Sequence, residues 1–559
     1  MEMNACPPWR DPSGWSSRLD AADVARHRAV GAWRNRTIAD DARERAAATP
    51  DTVCLRLGEE TLTFAEALTR AEHLAAGLWE LGLRPGDVLS FALPNWLEAL
   101  SVDLAAGLLG LVINPIVPIY RDAEFGLILK HCRAKAIIVP ETFRGFDYAA
   151  MLERLRPQLP DLAHVIVARA STPRPGMLRL EDVGAAGGAV PWPRQVPEAI
   201  KMVMYTSGTT GMPKGVLHTH ETMAHSMGSC VAYWGLGAGD VVLMPSPVTH
   251  VTGFAWGLEQ PFQHGLVSVL MERWDATEAV RLIDRHGVAV TVGATPFLQE
   301  LVDATERAQS RLPSLKVFAC GGAAVPPDLV ARANGLFANG RATRVYGSTE
   351  APMITLGFVA PGTERLAAVT DGRIVDYDIR IVDDAERDVA PGAEGEILAR
   401  GPALFVGYAD PAETAAAFTA DGFFRMGDIG LVGEDNSILI TGRKKDLIIR
   451  GGENISAKEI EDALHRHPAV REAVAVSMPH QRLGETVCAY VVPQDGASPT
   501  LADLVASLAA AGLAKQKFPE HLVLVEDLPR TASGKVKKDI LRRMIADQLA
   551  ATPTGSALG

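Results

Sequence analysis

Cysteine is scarce in this chain: six among 559 residues, at positions 6, 54, 132, 230, 320 and 488, with no Cys-x-x-Cys pair. That spacing excludes a disulfide framework and a cysteine-based zinc site, and it points to a reducing, cytoplasmic compartment. Positive charge is short as well. The 55 Lys and Arg stand against 67 Asp and Glu, a formal net charge of −12, which leaves no broad basic face for nucleic acid. An anionic ligand must therefore be met by local groups. Long apolar runs are missing too. The most lipid-like stretch, residues 104–120 (LAAGLLGLVINPIVPIY), holds an asparagine and two prolines and is too short to span a bilayer. It reads as a buried helix followed by a strand. Prolines and charges interrupt the opening MEMNACPPWRDPSGW, so no export signal is expected.

What is present is an ordinary globular composition, 47% hydrophobic and 22% charged, in a chain too long for one hydrophobic core. From about Thr61 amphipathic helical patterns alternate with short apolar runs: FAEALTRAEHLAAGLWELG is a helix closed by glycine and VLSFAL a buried strand. AKAIIVP, HVIVAR, DVVLMP, GLVSVLM, VAVTVGA and LKVFACGG repeat the strand signal, the rhythm of layered α/β architecture. After about Asp371 the pattern changes: RIVDYDIRIVDD and GEILARGPALFVGY read as strands of a smaller β-rich unit. Beyond GRKKD, a compact helix and strand pattern continues to the end. The expected division is residues 1–445, with 371–445 as the β-rich part, and a small α+β domain over 446–559.

The densest chemical signal is MYTSGTTGMPKGV, residues 204–216. Residues 200–205 read as a strand and Leu217 onward as a helix, which places the loop at a strand end, where open α/β sheets bind ligands. Gly208, Gly211 and Gly215 let main-chain amides approach a phosphate. The hydroxyls of Thr206, Ser207, Thr209 and Thr210 add donors or metal ligands. A Walker loop beginning at Gly208 would need glycine at Pro213 and a hydroxyl at Gly215, so that template fails at two defining positions. A kinase of the P-loop kind is disfavoured accordingly.

With this loop in hand, the chain resembles the adenylate-forming superfamily of acyl-CoA synthetases, luciferases and adenylation domains. LTFAEAL, YGSTE (Tyr346, Gly347, Ser348, Thr349, Glu350), FFRMGDIG, GRKKDLIIRGGENIS, KFP and PRTASGKVKK follow in family order across roughly residues 30–545. The resemblance implies an acid:CoA ligase that makes an acyl adenylate from a carboxylate and ATP, then passes the acyl group to coenzyme A. It implies that residues 206–214, with Lys214, hold the outer phosphates, and that Glu350 and Thr210 anchor Mg²⁺. Gly321, Gly322 and Ala323 would wall the adenine pocket, with Tyr346 on the purine or in the core. Asp428 and Arg443 would hold the nucleotide. Lys535 is then the catalytic lysine, Lys445 the hinge of a mobile C-terminal domain, and Gly451, Gly452 and Glu453 the thiol entrance. His250 would gate the carboxylate or serve only structure.

Retention of Glu350, Asp428, Arg443 and Lys535 speaks against a degenerate nucleotide sensor. Phe254 and Trp256 suit a medium-sized hydrophobic acid, or else belong to the core. NPIVPIYR and FRGFDYAAM resemble the branch with cyclohexanecarboxylate-CoA ligases and short- to medium-chain fatty acyl-CoA synthetases. No carrier-protein attachment sequence is seen after residue 545, so free coenzyme A is the expected acceptor over a carrier. Met426 departs from the threonine or serine usual before GD. The expected partners are the acid, ATP and CoA, a protein acetyltransferase acting on Lys535, and a second copy in a possible homodimer.

Overall fold

A computed structural model describes residues 11–172, 174–184, 190–206, 213–322, 325–450, 453–530 and 535–551. Two large sheets dominate. The first runs, edge to edge, through Arg341–Arg344, Val317–Cys320, Val288–Gly293, Val241–Met244, Val267–Leu270, Val53–Leu57 and Glu60–Thr63. Every pairing but the last is parallel. The second holds eight strands, with Ile200–Thr206 between Val112–Pro115 and Lys214–Thr219, and Gly407–Tyr408 at its edge. The helix Leu97–Leu109 is buried at every residue except Glu98, and it belongs to the core shared by both sheets. Its largely apolar sequence follows, because a helix covered on all sides has no polar face to show; Ser101 and Asp103 are the buried polar exceptions.

A four-stranded antiparallel sheet follows, Asp378–Val382, Gly395–Arg400, Phe424–Val432 and Ile438–Arg443. After the short turn Lys444–Asp446, a separate sheet of Ile448–Arg450, Glu453–Ile455, Val470–His480, Gly484–Pro493 and His521–Leu524 packs its own apolar clusters against the helices Ala457–Leu464, Leu501–Ala510 and Lys538–Ala551. The architecture is thus α/β, a large N-terminal part and a small C-terminal domain.

Two expectations are corrected. Leu217 does not begin a helix: Lys214–Thr219 is a strand antiparallel to Ile200–Thr206, with Tyr205 opposite Gly215 and Thr206 opposite Lys214. The helix starts at His220, where Thr219 caps it and forms a reciprocal box with Thr222; that cap, rather than the apolar run VL, sets the boundary. The strands on either side of residues 207–212 are therefore hydrogen-bonded neighbours. Likewise GEILARGPALFVGY is divided between sheets. Gly395–Arg400 joins the small one, but Gly407–Tyr408 crosses to pair with Val216 and Leu217 of the large one.

Five described cysteines (54, 132, 230, 320 and 488) are buried and unbridged, and burial pushes the Cys54 and Cys132 thiols up to about 12, which makes them inert as nucleophiles. No helix among the described residues is long and apolar enough to cross a membrane.

Between the two sheets lies a buried charge cluster. Lys201 pairs with Glu259, and its ammonium is 3.6 Å from Asp103. Burial pushes the Asp103 carboxyl up to about 7, Lys201 opposing and Glu259 assisting. Because that folded pKa lies above the ordinary 3.8, Asp103 binds its proton more tightly in the folded chain, and its stabilising contribution falls as pH rises from about 4 to about 7. Lys201→Met would leave two carboxylates buried without their cation. The expected cost is about 3–5 kcal/mol, measured by urea unfolding at pH 7, with a smaller loss at pH 5 where Asp103 is protonated.

Candidate active site

The site forms where parallel strands end. Val317–Cys320 and Arg341–Arg344 are neighbours in register, Cys320 opposite Arg344, so the residues following them, Gly321 and Gly322 on one side and Tyr346 on the other, leave the same carboxyl edge together. Gly321 is required by close approach: a Cβ there would lie 2.5 Å from the Val345 carbonyl oxygen. Gly347 is equally confined, its Cβ position being 2.5 Å from the Met353 nitrogen. The turn after Tyr346 is fixed by Ser348, whose hydroxyl accepts from the Ala351 amide at 3.2 Å, and by the Thr349 carbonyl, which accepts from His218 Nε2 at 2.7 Å. Burial pushes the His218 imidazole down to about 4, so it is neutral.

Tyr346 donates its hydroxyl to Asp428 Oδ2 at 2.6 Å, and Arg443 Nε approaches Asp428 Oδ1 at 2.7 Å. Strand pairing explains the second contact, since Asp428 and Arg443 are direct cross-strand partners. Asp428 is buried at 2% exposure, and a buried carboxylate held by one hydroxyl donor and one guanidinium is fixed in one orientation. Its Coulombic field keeps the Arg443 guanidinium more firmly protonated than usual, while burial and Asp428 together drive the Tyr346 phenol well above its ordinary value. Met426, half-buried, packs against the same two apolar clusters as Tyr346.

On the other flank, Tyr408 donates to Glu350 Oε1 at 3.0 Å. The Lys214 ammonium sits 4.9 Å from the Tyr408 ring centre and 3.4 Å from Glu413. Tyr408 and Glu413 were not singled out by sequence; only the strand crossing of Gly407–Tyr408 reveals them. The remaining loop residues Ser207, Gly208, Thr209, Thr210 and Gly211, together with Ala323, Gly451 and Gly452, lie outside the described residues, as does the side chain of Glu453. Thr206 ends its strand at the loop's entrance.

Lys535 reaches this edge from the C-terminal domain. Its Cε is 3.8 Å from the position a Cβ would take on Gly322. Although the side chain keeps exposed surface, protein packed around its ammonium lowers its pKa, Arg443 lowers it further, and Asp428 and Glu350 resist. The structure thus brings Lys535, Arg443, Asp428, Glu350 and Gly322 to one place from parts of the chain more than two hundred residues apart. His250 borders them. It caps the helix Val251–Phe254, accepting from the Thr252 amide at 3.4 Å, and burial with the Lys535 charge pushes its imidazole down to about 4. Phe254 and Trp256 are fully buried in the main core, Trp256 stacking on Trp234 with 5.9 Å between centroids.

Magnesium fits the oxygen set here. Among the described residues no three acidic, histidine or cysteine side chains cluster to cage a metal. Glu350 offers a single carboxylate beside the hairpin, and Mg²⁺ is held by one or two carboxylates together with substrate phosphates.

Residues 42–409 match the AMP-binding enzyme family and residues 459–535 the AMP-binding enzyme C-terminal domain, the second match ending on Lys535. The chain is 35% identical over 536 residues to a medium-chain fatty-acid–CoA ligase of Escherichia coli K12, covering 94% of this chain and 93% of that one. It is 34% identical to a 2,3-dihydroxybenzoate-AMP ligase of Bacillus subtilis, with 94% and 96% covered. The ATP-bound structure of MatB from Rhodopseudomonas palustris superposes with a TM-score of 0.81 at 25% identity, covering 92% of this chain and 99% of that one. The apo form of the same protein gives 0.70 at the same coverage. With motif, site geometry and similarity agreeing over nearly its full length, the chain belongs to the AMP-binding enzyme family, the adenylate-forming enzymes that activate carboxylic acids with ATP.

Proposed function

We propose that the chain is an acid:CoA ligase for a medium-sized hydrophobic acid, working in two half reactions at the site described. In the first, a carboxylate oxygen attacks the α-phosphorus of ATP and pyrophosphate leaves. In the second, the sulfur of CoA attacks the acyl carbonyl and AMP leaves. The observation that carries the reading is the meeting of Lys535 with Asp428, Arg443 and Glu350 at Gly321 and Gly322. A carboxylate and a triphosphate repel each other, and a cation delivered beside them offsets that repulsion where charge develops.

Each residue has a role in this reading. Lys535 contacts the α-phosphate and the attacking carboxylate. Asp428, acceptor-only when ionised, takes the ribose hydroxyls, and Tyr346, Gly321 and Gly322 hold the purine. Gly347, Ser348 and Thr349 shape the turn that presents Glu350. Lys214 and Thr206, with residues 207–211, cradle the outer phosphates, and Mg²⁺ bound through Glu350 and Thr210 would neutralise phosphate charge. Neutral His250 gates the carboxylate. The C-terminal domain, residues 446–559, then turns about Lys445, withdrawing Lys535 and bringing Gly451, Gly452 and Glu453 to the thiol. Phe254 and Trp256, packed in the core, would bound the acyl chamber from below. The relatives that ligate fatty acids support an aliphatic acid; an alicyclic acid such as cyclohexanecarboxylate rests on the resemblance carried by NPIVPIYR and FRGFDYAAM alone. The proposal also places the enzyme in the cytoplasm, leaves it open to a protein acetyltransferase at Lys535, and admits a homodimer.

A second reading is favoured by the similarity to an aryl-AMP ligase: transfer of the acyl group to a carrier protein. One assay separates the two. With aliphatic, alicyclic and hydroxybenzoic acids in parallel, pyrophosphate release should depend on an aliphatic or alicyclic acid, and AMP with acyl-CoA should accumulate only when CoA is added. Acid-dependent pyrophosphate without acyl-CoA would favour the carrier, and a preference for amino acids would sink the substrate class.

A further inference from the structure

We propose that Ser456 is a positioning residue that latches the C-terminal domain in the orientation where Lys535 meets the nucleotide residues; this rests on the two-orientation reading above. Ser456 caps the helix Ala457–Leu464, its oxygen accepting from the Glu459 amide at 3.3 Å. A serine hydroxyl has one proton to give, and here that proton crosses the domain junction to the Thr441 carbonyl, 2.5 Å away. Thr441 is in the last strand of the antiparallel sheet, two residues before Arg443. Gly442 leaves the room: a Cβ there would stand 3.2 Å from the Ser456 oxygen.

The turn between the two domains is tied separately at each end. Lys444 pairs with Glu396 at 2.8 Å on the N-terminal side, and Asp446 pairs with Arg542 at 2.6 Å on the C-terminal side. Lys538 and Arg542 hold the Asp446 carboxyl below its ordinary range against the upward push of burial. A rotation at Lys445 leaves both of these pairs intact. It separates Ser456 from Thr441, because one partner lies before the turn and the other after it. The latch therefore opens with the swing and adds to the stability of one orientation alone, which is the differential contact that a conformational equilibrium requires.

Substitutions separate the latch from the cap. Ser456→Thr keeps both the proton and the cap; Ser456→Asp keeps the cap, aspartate being as good there as serine, but an ionised carboxylate donates nothing to Thr441. Ser456→Ala loses both. The measurement is the distance between spin labels on cysteines placed at the exposed positions Arg281 and Asp495 of the full chain with Cys6 replaced by serine, in Mg-ATP. In wild type and Ser456→Thr one distance should dominate. In Ser456→Ala and Ser456→Asp the ratio of second to first distance should rise roughly three- to tenfold, the scale of one hydrogen bond. Octanoate-dependent pyrophosphate release should fall in the same order, while transfer from supplied octanoyl-AMP to CoA holds or rises. If Ser456→Asp matches wild type, the residue is a helix cap and the proposal is overturned. If wild type itself shows one distance with and without CoA yet completes both half reactions, the two-orientation reading fails and the latch with it.

Discussion

Replacing Lys535 with glutamine should lower acid-dependent pyrophosphate release about a hundred- to a thousandfold, while transfer from supplied acyl adenylate to CoA stays within a few-fold of wild type. The asymmetry follows from placement. Lys535 is beside Gly322 and in the field of Asp428 and Glu350, where the first half reaction builds charge, and in the proposed cycle it departs before the second. Glutamine has nearly the shape of acetylated lysine and none of the charge, so the same variant reports what acetylation would do. The pH profile adds a second test. The ammonium is the active form, and surrounding protein and Arg443 lower its pKa, so adenylation should fade on the alkaline side before an ordinary lysine would lose its proton. Equal loss of both half reactions would remove Lys535 from this role.

Glu350→Gln should cut adenylation on the order of a hundredfold, with the Mg²⁺ concentration for half-maximal activity raised; Tyr408→Phe should show the same signature at roughly tenfold, the scale for groups that orient a metal ligand. The Tyr408 hydroxyl donates to Glu350 Oε1 at 3.0 Å, so its removal frees the carboxylate to rotate without changing its charge. Titrating Mg²⁺ in pyrophosphate release separates the cases. A loss that excess Mg²⁺ cannot reduce in either variant would mean that Glu350 acts on the protein alone.

Most strands were legible because each depends on local pattern, an apolar run bounded by glycine, proline or charge; the carboxyl-edge glycines entered through family resemblance, and only the structure shows the backbone they would strike with a side chain. Asp428 and Arg443 were readable only through family resemblance, since nothing in FFRMGDIG or GRKKD says that register places them opposite each other. Tyr408 and Ser456 stayed hidden for the same reason. One acts after its strand crosses between sheets, and the other across a domain junction, and composition carries neither relation. The helix expected from Leu217 failed because VL in a strand and VL in a helix look alike until the cap at Thr219 is weighed. Phe254 and Trp256 show the converse: bulk was readable, but its use as core or chamber wall was not.

The strand pair flanking residues 207–212 is stitched on both sides. Ile200–Thr206 pairs with Lys214–Thr219, and that strand pairs with Gly407–Tyr408, where the Ala409 amide also donates to the Gly215 carbonyl at 2.7 Å. Strand side chains alternate between faces, so one residue slipped into the second strand would turn Lys214 to the opposite side of the sheet and away from Tyr408. The two strands act as a ruler for the span between them. An insertion or deletion there would thus be felt at a sheet whose edge strand holds the partner of Glu350.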